Sequence, residues 1–230
     1  MANENAKIDK IKLLQSLQNV VNEKITLKDN ISLETWLELK KAVYPINNYI
    51  TTELTIKFID KLNHIFKNTP DVKEVLLEND LQILRDYYGK QNVNSNGYDF
   101  ITKKNEENET TKIPELNKSF PHITAEIKAN IPYDGNKYGS SQKTGLTKDV
   151  RGLREPEKKQ KDKHDPTNDY KFLVVLDYYL GDYDSKKAVE DLIKLLTKNR
   201  NEIDVEIVDL ENPQKITKEK IYIVMLGFND

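Results

Sequence analysis

From Ile123 to Ile131 the chain alternates without a break. Ile123, Ala125, Ile127, Ala129 and Ile131 fall on one side, and Thr124, Glu126, Lys128 and Asn130 on the other. Neighbouring side chains of an extended strand point to opposite faces, whereas a helix repeats every 3.6 residues, so this pattern fits a strand and no helix. The chain must therefore build a sheet, and the polar face of this strand sets Glu126 and Lys128 one pleat apart between two small alanines. A second long apolar run, YKFLVVLDYY, has no alternation and reads as a central strand covered on both sides. DVEIVDL and KIYIVML supply two more strands, and YDFIT a short one around Tyr98 to Thr102.

Helices are expected elsewhere. Ile8, Ile11, Leu14, Leu17, Val20 and Val21 recur every three or four residues. Ser32 is placed to cap a second helix carrying Leu33, Trp36, Leu37 and Leu39 that breaks near Pro45, and Ile50, Leu54, Phe58, Leu62 and Ile65 mark a third. A fourth starts at Thr69-Pro70-Asp71, carries Val72, Val75, Leu76, Ile83, Leu84 and Tyr87, and stops at Gly89. SSQKTGLTKDVRGL reads as a helix through Leu146, Val150 and Leu153. Asp184 is placed to cap a last one holding Ala188, Val189, Leu192, Ile193 and Leu196. The polar stretch between the strands at Thr102 and His122 suits a mobile hairpin tip, and REPEKKQKDKHDPTND an exposed, poorly ordered linker. The expected architecture is an α/β (α+β) fold: a helical N-terminal layer over residues 1–68, then a mixed β-sheet flanked by helices over residues 69–230, with flexible segments near 103–120 and 155–169.

Composition narrows the function. With no cysteine among 230 residues, a disulfide scaffold, a cysteine nucleophile and a thiolate zinc site are excluded. No apolar stretch is long enough to span a bilayer and the first residues lack a signal-peptide core, so a cytoplasmic protein is expected. The net charge is only −2, yet residues 137–163 carry nine Lys/Arg against four Asp/Glu. A basic island in an otherwise acidic chain points to an anionic partner, although such runs also occur as plain solvated surface. GNKYGSSQKTG lacks the glycine that a phosphate loop needs before its lysine, which here follows Gln142. Asp177, Asp182 and Asp184 fit a solvated loop with a helix cap, and His64, His122 and His164 have no metal-ligand spacing.

The polar strand face is the strongest chemical signal. A carboxylate beside an ammonium can hold a hard divalent cation through oxygen while the lysine orients a water and neutralises a phosphate. Asp99, 27 positions earlier, converges on Glu126 if the two strands pair as a hairpin. The plain reading of Glu126 and Lys128 is a cross-strand ion pair.

Asp99 followed by Glu126-x-Lys128 on the next strand resembles the PD-(D/E)XK nuclease superfamily, in particular type II restriction endonucleases. The order of elements is similar too: a helix, the strands at YDFIT and HITAEIKANI, the helix at SSQKTGLTKDVRGL, and the strand at YKFLVVLDYY. The likeness runs from the fourth helix to that strand and leaves the first 70 residues unmatched. Tyr98 stands where the motif usually has proline. The resemblance implies a restriction-endonuclease-like sheet. It implies Mg²⁺ held by Asp99 and Glu126 with the Ile127 carbonyl, a supporting acid at Glu78, and a water positioned by Lys128. It also implies sequence-specific hydrolysis of double-stranded DNA, a homodimer suited to a palindromic site, and a companion DNA methyltransferase. Lys137, Gln142, Lys143, Lys148 and Arg151 are the expected DNA contacts, mainly to phosphate, with Gln142 able to read a base edge. Two alternatives stay open: a repair or junction-resolving nuclease of the same superfamily, and a non-catalytic DNA- or protein-binding module.

Overall fold

The computed structural model describes residues 33–90, 98–103, 115–132, 136–158, 164–180, 183–198 and 203–227. Ser32, the stripe from Ile8 to Val21, and much of the expected hairpin tip and charged linker lie outside the described residues. The elements in chain order are α1 (Leu33–Ile65), α2 (Pro70–Lys73), α3 (Glu78–Tyr88), β1 (Phe100–Ile101), β2 (Ile123–Lys128) and α4 (Ser140–Arg154). After them come β3 (Tyr170–Leu176), β4 (Tyr179–Leu180), β5 (Tyr183–Asp184), α5 (Ser185–Lys198), β6 (Val205–Ile207) and β7 (Ile221–Leu226). Among the described residues no helix is long and apolar enough to cross a membrane.

Five strands form one mixed sheet in the order β1-β2-β3-β7-β6. β1 runs antiparallel to β2, and the other neighbours are parallel. Helices cover both faces. Ile123, Ala125, Ile127, Phe172, Val174 and Val224 share a core with Leu54, Phe58 and Leu62 of α1 and Leu81 and Leu84 of α3. Leu173, Val175, Ile221 and Ile223 pack on the other side with Leu146, Val150 and Leu153 of α4 and Ala188, Val189 and Leu192 of α5. The sheet thus lies between two helical layers, as the mixture of amphipathic helices and buried strands demands. Because the second half of α1 belongs to the same core as the sheet, the packing runs continuously across residue 68.

Several sequence expectations are corrected. The helices on either side of Pro45 are one 33-residue helix. Proline removes one backbone hydrogen bond at a cost of about 3 kcal/mol. Burial of Leu54, Phe58, Ile59, Leu62 and Ile65 downstream, at roughly 1.5–3 kcal/mol for each, exceeds that loss. The helix expected from Pro70 to Gly89 is two helices, interrupted where Leu77 adopts an extended conformation (φ −81°, ψ 140°). The interruption re-phases the second segment so that Leu81, Leu84 and Tyr88 face the core, in place of the stripe that Ile83 and Tyr87 would have set. Strand β2 is buried on both faces, because α4 covers its polar side. The end of the charged linker is ordered against the sheet, with His164 and Asp169 buried around a short 3₁₀ turn at Pro166–Asn168. Asp184 caps α5 as expected, accepting from the Lys187 N–H at 3.2 Å.

The border strand β1 is closed by a side chain. The Tyr88 hydroxyl, from the end of α3, donates to the Ile101 carbonyl at 2.7 Å and accepts from the Ile101 N–H at 2.8 Å. Both outward-facing backbone groups of that residue are thereby satisfied without a further strand.

Candidate active site

The register of β1 against β2 pairs Phe100 with Ala125 and Ile101 with Thr124, so Asp99 arrives beside Glu126. Their side chains are joined by Lys128, whose Nζ lies 3.1 Å from Asp99 Oδ2 and 2.7 Å from Glu126 Oε2. Asp99 is fixed further by the Ile127 N–H, which donates to Oδ2 at 2.8 Å. Ile127 thus contributes its amide to the cluster, while its side chain points into the core on the opposite face. A third carboxylate approaches from above the sheet: Asp149 Oδ2, on α4, lies 3.4 Å from Lys128 Nζ.

The site is nearly dry, with Asp99 5% and Glu126 6% exposed. Burial, reinforced by the Asp99 charge, pushes the Glu126 carboxyl up to about 8, against the opposing pull of Lys128. Burial works against the Lys128 ammonium, but Asp99, Glu126 and Asp149 together outweigh it and hold the lysine above its ordinary value. Both directions have one cause. Three carboxylates share a single ammonium, so the lysine stays charged while burial and the neighbouring Asp99 charge hold Glu126 towards its protonated form. Burial likewise raises Asp149, with Lys128 tempering the rise.

Beside this cluster, one pleat back on β2, lies a second buried polar group. The Thr124 hydroxyl donates to Asp169 Oδ2 at 2.6 Å, and His164 Nε2 lies 2.6 Å from the same oxygen and 2.9 Å from Thr124 Oγ1. Tyr98 stands edge-on to His164 with ring centroids 6.0 Å apart, and its hydroxyl donates to the Gly152 carbonyl of α4 at 3.0 Å. These contacts fix the start of β1 and the linker end against α4.

The remaining expected residues are dispersed. Glu78 lies on the outer side of α3, its carboxylate 72% exposed and 2.6 Å from Arg85, and it does not join the cluster. Arg85 also binds Asp60 of α1 at 2.6 Å, so Glu78 belongs to a surface network linking the two helices. Gln142 spends its amide on the backbone that enters α4, accepting from the Gly139 N–H at 2.9 Å and donating to the Ile131 carbonyl at 2.9 Å. Lys143 pairs with Asp191 of α5 at 2.6 Å. Lys143, Lys148 and Arg151 line an open groove of about 590 Å³ that Leu195 of α5 also borders. Lys137 is exposed just before α4. At 3.6 residues per turn, Thr147 and Arg151 of that groove stand about 160° around the α4 axis from Asp149. The helix therefore separates the basic groove from the carboxylate cluster.

Asp149, Tyr98 and the Thr124–His164–Asp169 group had no motif to announce them. Asp149 did carry a signal: it falls three residues after Leu146 and four before Leu153, an acid set within an apolar stripe. Thr124, His164 and Asp169 became neighbours only through the pairing of β2 with β3, which sets Thr124 opposite Lys171, two residues past Asp169.

Among the described residues no group of three or more His, Asp and Glu is arranged as a metal cage. Lys128 occupies the centre of the acids. Mg²⁺ is commonly bound through one or two carboxylates with water and substrate oxygens completing its shell, so the buried Asp99 and Glu126 pair is a donor set of suitable chemistry. No family model, no curated protein and no solved structure matches this chain.

Proposed function

We propose that the chain is a Mg²⁺-dependent DNA endonuclease of the type II restriction kind, with Asp99, Glu126 and Lys128 as its catalytic residues. The observation that carries this reading is the meeting of those three side chains at the β1–β2 pair, on rigid backbone and out of water. The order helix, β1, β2, α4, β3 supports it, being the order that the resemblance implies, within a mixed sheet flanked by helices.

In this reading Asp99 and Glu126, with the Ile127 carbonyl, would hold Mg²⁺, which supplies Lewis-acid stabilisation of charge developing on the phosphate. The chain's own groups do the rest. Lys128 is kept as an ammonium by its acidic neighbours, so it acts as a hydrogen-bond donor that orients the attacking water and meets phosphate charge. The Ile127 N–H locks one oxygen of Asp99, so that carboxylate needs no reorganisation when substrate arrives. Lys137, Lys143, Lys148 and Arg151 offer charge to the flanking backbone, and such contacts position the duplex without reading its sequence. A homodimer acting on a palindromic site, protected by a companion methyltransferase, completes the proposal.

The tightness of the cluster favours a second reading in which Lys128 is a structural clamp between strand and helix and the fold only binds DNA or protein. One experiment separates the two. The purified chain is incubated with unmethylated phage DNA in Mg²⁺ or in EDTA, beside Lys128→Ala. Discrete fragments that need Mg²⁺ and disappear in the variant are expected. DNA left intact with Mg²⁺, Mn²⁺ and Co²⁺, on both linear duplex and branched substrates, refutes the nuclease reading.

A further inference from the structure

Lys128 is held from two directions. Asp99 and Glu126 grip it from the sheet, and Asp149 faces it from α4, a different element. We infer that Asp149 is a positioning residue, which keeps the Lys128 ammonium in the site when Asp99 and Glu126 hold a divalent cation. This rests on the metal-dependent reading above and deepens it.

Two positive charges cannot share one carboxylate pair at close range without strong repulsion in a dry site. The lysine must therefore yield, and its side chain is only 24% exposed, so leaving it there without a counter-charge would be costly. Asp149 answers that need. Its 3.4 Å separation is just outside an ordinary hydrogen bond, and rotation of the flexible lysine stem is enough to close it. Asp99 does not lose its register when the lysine leaves, because the Ile127 N–H still binds Oδ2. The placement of Asp149 is otherwise unfavourable, since it puts a carboxylate among Leu146, Val150 and Leu153 on the inward side of α4.

The test is a thermodynamic cycle on Mn²⁺ binding by the full chain without DNA, read from the electron paramagnetic resonance signal of the free ion at fixed pH. Mn²⁺ shares the oxygen-ligand preference of Mg²⁺. Asp149→Asn is expected to weaken Mn²⁺ binding about tenfold when Lys128 is present, and to change it by no more than about twofold in a Lys128→Met background. Asp149→Glu, which keeps the carboxylate, is expected to restore binding. Asp149→Ser serves the same cycle if the asparagine variant does not fold. Equal weakening in both backgrounds overturns the inference, because Asp149 would then act on the cation directly. No weakening with Lys128 present overturns it as well. If neither the wild-type chain nor Lys128→Met, in which Asp99 and Glu126 are freed, binds Mn²⁺, the metal-dependent reading itself fails.

Discussion

Replacing Glu126 with glutamine puts a permanently neutral amide in place of a buried ionisable carboxyl of the same shape, and the consequence depends on pH in a calculable way. In the fold this carboxyl is raised from 4.5 to about 8, by burial first and by the Asp99 charge second. Between those values the unfolded chain has released the proton and the folded chain still holds it. Stability contributed by the neutral acid is therefore complete below about pH 4.5 and is lost as pH rises through 8. The full difference corresponds to roughly 5 kcal/mol as a ceiling. The Lys128 ammonium at 2.7 Å opposes the rise, so about 2–3 kcal/mol is the working expectation. The assay is urea unfolding of wild type and Glu126→Gln at a series of pH values from 5 to 9. The stability of the variant relative to wild type should climb from pH 5 to about pH 8 and level off above it. A difference that stays flat from pH 5 to 9, or that falls, would show that Glu126 is ionised throughout and that the account of the cluster's charge is wrong.

Other consequences can be checked alongside. Lys128→Met leaves its buried acidic partners without their cation and should cost about 3–5 kcal/mol at pH 8, less at pH 5 where Glu126 holds its proton, as measured by denaturant unfolding. Thr124→Val removes the hydroxyl shared by His164 and Asp169 and should cost about 1–3 kcal/mol in the same assay, with no change expected if that group contributes nothing. Phe58 packs edge-on to Phe100 at 5.4 Å and Phe172 at 5.2 Å, joining α1 to the sheet, and Phe58→Ala should cost about 3–5 kcal/mol. Arg151→Ala and Lys148→Ala should weaken DNA binding similarly across sequences and lower the salt-dependence slope by about 1 each in fluorescence titrations. An unchanged slope would remove the α4 groove from the DNA path.

What could be read from the sequence follows the range of the forces involved. The alternation at Ile123–Ile131 and the apolar run at Tyr170–Leu176 are local patterns, and they form strands over Ile123–Lys128 and Tyr170–Leu176. The cap at Asp184 depends on three residues of spacing and is present. The unbroken α1 was hidden, because Pro45 is a local signal while the burial that outweighs it comes from a sheet far along the chain. The same holds for the split at Leu77, where the core re-aims the second segment. At the candidate site, the convergence of Asp99 on Glu126 was legible, since a hairpin needs only two adjacent strands. Asp149 and the His164–Asp169 pair were not, because their contacts arise from packing a helix and a polar linker onto the buried face of β2.

The hydroxyl of Tyr88 has a consequence for assembly. Strands at the margin of a sheet recruit other strands through unpaired amides and carbonyls, the usual route to swapped dimers and fibrils. At the β1 margin that route is blocked at Ile101, whose two outward groups are already taken. Among the described residues the other margin of the sheet is β6, which is the readier place for two copies to continue one sheet into the next. Tyr88→Phe would reopen the first margin, so concentration-dependent association seen in that variant and absent from the parent would identify the tyrosine as the guard against it.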